Sequence, residues 1–221
     1  MRKIEGLRFL QKFFLTVCVD CMFVTRREPL NTRLLRDHVP QLFRIRSGRQ
    51  SGSERGSPQR TCRSVAEVEC FIEEVWKSDK AREFVIHRVN ESFFEPDFVG
   101  TIALFEKTEP TMVIDLQAVS KTLVAGMDGG VRPRDWKVVT TYIFPFHQLR
   151  PIVHSVDPSF QSMHVNEPLI RLWRIGREID SIKKTMEEHS GATLPESLTR
   201  FNIYQDRTIL LDDHRNVESF D

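Results

Sequence analysis

Apolar residues recur at helical spacing from residue 64 onward and switch to strand spacing after residue 97. Ser64-Val65-Ala66-Glu67 has the Ser-x-x-Glu pattern of a capping box, in which hydroxyl and carboxylate satisfy free backbone amides at a helix start. Val65, Val68, Ile72, Val75 and Trp76 then share one helical face. A second helical stretch is predicted over residues 79–90, with Ala81, Phe84, Val85 and Val89 inward. Residues 98–105 and 112–119 read as strands joined by a turn-rich segment at 107–110. Residues 136–146 are β-branched and aromatic until Pro145, the pattern of a third strand.

A long helix follows. Asn166 is placed to cap it, Pro168 fits its first turn, and Gly191 ends it. Leu172, Ile175, Ile179, Ile182 and Met186 form an apolar stripe, with Asp180 and Lys184 at i,i+4 spacing on the other face. Beyond Pro195, residues 201–204 and 208–211 read as a hairpin around Gln205-Asp206. Helices, then strands, then a long helix and a hairpin predict an α+β fold. The expected architecture is a mainly antiparallel sheet of about four to five strands packed against two to three helices.

Charge changes the picture upstream. Residues 1–63 hold 14 Lys/Arg against 5 Asp/Glu, and residues 64–221 hold 18 against 26. Residues 44–63 are rich in Ser, Gly and Arg and poor in large apolar side chains, too few to offset the entropy of ordering. Only 30–43 offers a short helix, limited by Pro40. These features predict a basic, largely disordered N-terminal arm or targeting segment over 1–63. One α+β domain over 64–211 and an acidic tail over 212–221 complete the predicted chain.

Four cysteines in 221 residues do not make a secreted disulfide scaffold. No apolar run approaches the roughly 20 residues of a transmembrane helix. Intracellular location is favoured, with organelle import as the alternative for an Arg- and Ser-rich leader.

Candidate chemistry is sparse. Pro96-Asp97 precedes Asp115-Leu116-Gln117 on an apolar strand, and Glu73 or Glu74 lies on the preceding helix. This arrangement resembles the restriction-type nuclease pattern, although Gln117 stands where that family has Lys. The resemblance implies a metal-dependent phosphodiesterase holding Mg between Asp97 and Asp115, with Gln117 and Glu73 nearby. The plainer reading makes Asp97 a turn residue and Asp115 a solvent-facing strand residue. His147, His154 and His164 fall close together and offer a metal site, but their spacing fits no helical ligand pair. Cys18-Val-Asp-Cys21 has the spacing of a zinc or redox pair without a second pair at a suitable distance. Gly126-Met-Asp-Gly-Gly130 reads as a strand connection. Arg44, Arg46, Arg49, Arg55, Arg60 and Arg63 offer phosphate contacts for nucleic acid, with no interleaved aromatic to stack bases.

With fold signals but no convincing catalytic constellation, the leading expectation is a non-enzymatic ligand-binding or protein-interaction module. It requires no cofactor, and its partner is a protein or small molecule. The two alternatives are the Mg-dependent phosphodiesterase and a nucleic-acid-associated protein acting through its basic arm.

Overall fold

The computed structural model describes residues 3–38, 41–48, 57–78, 81, 83–105, 111–118, 140–145, 152–155 and 166–216. The chain divides into two units. The first comprises Arg2–Glu95 with Lys121–Val131, and the second comprises Pro96–Ser120 and Arg132–Phe220.

In the first unit, α1 (Lys3–Phe13), β1 (Cys21–Thr25), α2 (Thr32–Arg36), β2 (Phe43–Gly48) and β3 (Gln59–Cys62) precede α3 (Val65–Lys77) and β4 (Glu83–Arg88). The strands form an antiparallel sheet in the order β1-β4-β2-β3. Helix α3 starts as the sequence predicts. Ser64 Oγ accepts the Glu67 amide at 3.2 Å, and the Glu67 carboxylate accepts the Arg63 amide at 2.8 Å. Its buried stripe of Val65, Val68, Phe71, Ile72 and Val75 packs with Phe43, Ile45, Phe84 and Ile86 into one core.

Two predictions are corrected here. Residues 1–63 are not a disordered arm: they supply three of the four strands described in this sheet. In Phe43-Arg44-Ile45-Arg46 each arginine alternates with an apolar residue, so Phe43 and Ile45 enter the α3 core while the arginines occupy the opposite face. Arg44 is buried and donates to Thr61 Oγ1 (3.0 Å) and Gln59 Oε1 (3.1 Å). The basic residues are thus held within the fold, Arg8 by Glu83 (3.3 Å) and Arg60 by Glu74 (3.2 Å). Helix α1 buries Ile4, Leu7 and Leu10. The predicted second helix is strand β4 between Glu83 and Arg88. Phe84, Val85, Ile86 and His87 are all buried, because this strand is covered on both faces. A continuous apolar run of that kind has no periodicity to separate strand from helix.

A 3₁₀ turn (Glu91–Phe94) ends the first unit, and the second holds β5 (Phe98–Phe105), β6 (Thr111–Ala118), β7 (Thr140–Pro145), β8 (Ile152–Ser155), α4 (Asn166–Ser190), β9 (Ser197–Ile203) and β10 (Ile209–Asn216). The sheet is antiparallel, in the order β10-β9-β5-β6-β7-β8. α+β character and antiparallel pairing are as predicted, but the described strands form two sheets rather than one. Helix α4 packs on β5 and β6. The approach is closest at Gly176, where an added Cβ would lie 2.5 Å from Met112 Cε and 3.2 Å from Ile102 Cγ2. The predicted stripe holds through Leu172, Ile175 and Ile179 and then rotates. Asp180 and Lys183 are buried next, while Met186 is exposed. Among the described residues, no helix is long and apolar enough to cross a membrane.

Candidate functional site

The register of the second sheet determines which side chains share each face. Ile102 lies against α4, so Ile114 and Thr199 opposite it face α4 too, as does His214 beyond Thr199. Residues one position away point to the other face. There Thr141, Asp115, Thr101, Arg200 and Asp213 stand directly opposite one another across β7, β6, β5, β9 and β10. Direct cross-strand neighbours have Cβ atoms about 5 Å apart. They therefore form one polar row running across the sheet. Thr141 Oγ1 donates to Asp115 Oδ1 at 2.7 Å.

At the β10 end the row becomes strongly charged. Arg215 lies two residues beyond Asp213 on the same face, and its Nε reaches Asp213 Oδ1 at 2.9 Å and Oδ2 at 3.0 Å. Its Nη2 also contacts Oδ2, making a bidentate pair. The Asp213 side chain is 1% exposed and that of Arg215 13%. A bulge produces this arrangement: Leu211 pairs with Phe201 and Asp213 with Arg200, leaving Asp212 as the extra residue. Bulges re-aim side chains in this way. Beside them Asn202 is buried and its side chain hydrogen-bonds Tyr204. Burial pushes the Tyr204 hydroxyl far above its usual range. The Asn202 bond opposes the shift, and the negative charges of Asp212 and Asp206 add to it.

Beneath α4 lies a different polar group. His214 is fully buried, with Nδ1 2.7 Å from Thr199 Oγ1. Burial lowers its pKa to about 4. Asp213 opposes that shift and Lys183 on α4 adds to it, so the ring is neutral at pH 7.

Of the sequence candidates, Asp115 belongs to the polar row. Asp97 does not join it: its amide donates to Ile203 O at 2.9 Å, just before β5, four residues from the Thr101 that faces Asp115. Four residues of strand is roughly 13 Å. Gln117 pairs with Val99 on β6. Glu73 and Glu74 are exposed on α3, Glu74 bound to Arg60. Arg44 and Arg46 lie on β2 and Arg60 on β3, while Arg63 pairs with Glu91 at 3.6 Å. His147, His164, Arg49, Arg55 and the 126–130 loop lie outside the described residues, as does the side chain of His154 in β8. Among the described residues, no three His, Cys, Asp or Glu side chains converge as a metal cluster.

Asp212, Asp213 and Arg215 escape the sequence reading because the strand is ended at Leu211 and the rest is assigned to a tail, while Arg200, Asn202 and Tyr204, on or beside the first strand of the predicted hairpin, carry no motif that marks them. The signal was present: Ile209, Leu211 and His214 fall on the α4 face, and Asp213 and Arg215 on the other, once one bulged residue is allowed.

A sheet face with guanidinium groups beside carboxylates, hydroxyls and an amide can bind an anionic ligand and its counter-cation. Comparison with known proteins bears on which. No protein-family model and no curated protein matches the sequence. Solved structures do match the fold. The D-alanine-D-alanine ligase from Coxiella burnetii superposes with a TM-score of 0.52 at 10% identity, over 96% of this chain and 46% of that one. The VanG D-Ala:D-Ser ligase from Enterococcus faecalis gives 0.54 at 12% identity, over 96% and 52%. The chain spans about half the length of these enzymes. Its fold resembles that of these two ligases.

This overturns the expectation of a non-enzymatic module, which rested on the lack of a catalytic motif: the fold matched across nearly the whole chain is one that these two enzymes share. The two alternatives fall with it. The Asp97–Asp115 hairpin is part of the six-stranded sheet of that shared fold, and the basic arm is part of the folded first unit.

Proposed function

We propose that the chain is an ATP-dependent ligase-type protein, and that the face of its second sheet on which no described helix lies binds the nucleotide's phosphates. The observation carrying this reading is the fold shared with two ligases, combined with a charged row on one face of that sheet. Guanidinium groups match phosphate oxygens in planar, bidentate geometry, and the half-buried Arg200 supplies one. The neighbouring carboxylates would repel a triphosphate on their own. Magnesium resolves the conflict, because it binds through one or two carboxylates plus phosphate oxygens rather than through an all-protein cage. Asp212 fits that donor set, whereas Asp213 is committed to Arg215 and Asp115 stands three strands away, roughly 14 Å. When bound, the metal neutralises phosphate charge and polarises a phosphoryl oxygen. Tyr204, kept protonated, offers a hydroxyl donor beside Asn202.

Calorimetric titration of the full chain with Mg-ATP tests this proposal. Saturable binding is expected, weakened at least tenfold in Arg200→Ala, the loss of a charge-assisted bond worth about 1.5–3 kcal/mol. No heat and no thermal shift at millimolar Mg-ATP, with no ADP released in the presence of carboxylate and amine substrates, would refute it.

A further inference from the structure

We infer that Cys18 and Cys21 form a redox-active dithiol site, which a low-molecular-weight disulfide oxidises to a bridge across the α1–β1 connection. The inference is independent of any ligand on the second sheet.

Three observations carry it. First, the chain leaves α1 through a tight descent, with Phe14 N donating to Leu10 O at 2.7 Å and Cys18 N to Phe14 O at 2.8 Å. Cys21 then opens β1, opposite His87. Second, the two thiols lie three residues apart at one buried corner, and Cys18 acts on the Cys21 thiol more strongly than any other neighbour does, so their sulfurs are near each other. Cys18 Sγ also approaches Val19 O at 3.4 Å. Third, both are free thiols and both are buried, 7% and 4% exposed. A structural zinc site calls for four ligands. Thiol chemistry is what the described residues around this pair support.

The bond to Cys18, then burial and the charges of Cys18 and Asp20, push the Cys21 thiol far upward, against the pull of Arg8. The Cys21 thiol is therefore protonated at rest and slow to react, and reaction begins when the connection opens and one thiol ionises. That thiolate attacks a sulfur of the small disulfide RSSR, forming a mixed disulfide and releasing one RSH. The second thiolate then attacks the protein sulfur of the mixed disulfide and expels the other RSH. Two protein thiols are oxidised and one RSSR is reduced to two RSH. The second step is intramolecular between adjacent sulfurs, so it outruns trapping by free thiol. The S–S contact contracts to about 2.05 Å. The Cys21 carbonyl already accepts Gln11 Nε2 at 2.7 Å, so the bridge would fasten α1 to the first residue of an edge strand.

Cys62 and Cys70 provide an internal control. Cys70 is exposed on α3, and Cys62 is buried, with its pKa raised to about 11 mainly by that burial. The test is to equilibrate the full chain with glutathione buffers of varied GSSG:GSH ratio, quench in acid, and label reduced and oxidised thiols with light and heavy maleimide for peptide mapping. Cys18 and Cys21 should oxidise together, with a linked peptide lighter by two hydrogens. Their oxidation should follow [GSSG]/[GSH]², whereas mixed-disulfide formation at Cys70 follows [GSSG]/[GSH]. In Cys18→Ser, oxidation of Cys21 at the same ratio should fall at least tenfold. Should that variant not fold, the squared glutathione dependence in the wild type decides alone. The inference is overturned if the two cysteines oxidise independently. It is equally overturned if both stay reduced at ratios that fully modify Cys70, or if they pair only in urea.

Discussion

In the first unit helices lie against both faces of the four-stranded sheet. The α3 core fills one face, while α1 reaches the other through Ile4 against Gly48 and Arg8 over the Phe23 ring at 4.3 Å. In the second unit α4 covers one face, and the other carries the row Thr141, Asp115, Thr101, Arg200 and Asp213 without a described helix upon it. Both sheets are antiparallel and both contain arginines, yet the arginines serve different ends. Arg44, closed in, bonds to Thr61 and Gln59 within its own sheet. Arg200 stands half-buried in a polar row. A doubly covered sheet must satisfy its polar groups internally. A singly covered one can present them to a ligand.

The sharpest way to break this comparison is to remove residues 1–63. If they are integral, the deletion takes away β1, β2 and β3 and the first unit should lose its fold altogether, with amides 84–88 of β4 exchanging at unprotected rates. Retained protection there would restore the picture of a dispensable arm. A milder form, Phe43→Ala, should cost about 3–5 kcal/mol in chemical denaturation, the range for emptying a fully buried aromatic site.

Gly100→Ala probes the second sheet. A Cβ there would stand 2.1 Å from the Asp115 carbonyl oxygen and 2.5 Å from the Phe201 ring, so backbone must move. The expected loss is about 3 kcal/mol, while Gly176→Ala, whose nearest neighbour is the flexible Met112 side chain, should lose about 1 kcal/mol. Equal losses would mean that helix packing and strand packing limit this unit alike.

Acid should distinguish the two faces. The folded-state pKa of His214, about 4, lies below its ordinary 6.5. Between those values the unfolded chain binds more protons, so this contribution to stability is complete above about pH 6.5 and is lost as pH falls toward 4. The loss should approach about 3 kcal/mol, and denaturation of His214→Gln across that window should show a flatter profile. An unchanged slope would place the acid sensitivity elsewhere.

The smallest effect is expected at the hairpin tip. Arg207 and Glu167 pair at 2.8 Å with both side chains more than half exposed, so Glu167→Gln should change stability by less than about 1 kcal/mol.

Much of the second unit was legible in the sequence. Strand β5 matches its predicted span, β6 differs by one residue at each end, and α4 begins at Asn166, the residue expected to cap it. Ser64 caps α3 as its spacing required. The failures share a cause. Strand β4 and the buried turn of α4 at Asp180 and Lys183 are enclosed by distant segments, so periodicity gives no guide to them. In β2 an arginine-rich strand passed for a linker because charge was counted and alternation was not. The site residues of β10 were lost at a single bulge.

Local pattern by itself determined the caps, the amphipathic stripes and the strands with one solvated face, since these depend on contacts within a few residues. Tertiary structure alone decided that the basic N-terminal segment folds, that Asp115, Arg200 and Asp213 meet in one row, and that Cys18 and Cys21 share a buried corner. Each of those depends on strand register and on coverage by elements distant in sequence, whose energetic return comes only when the whole sheet assembles.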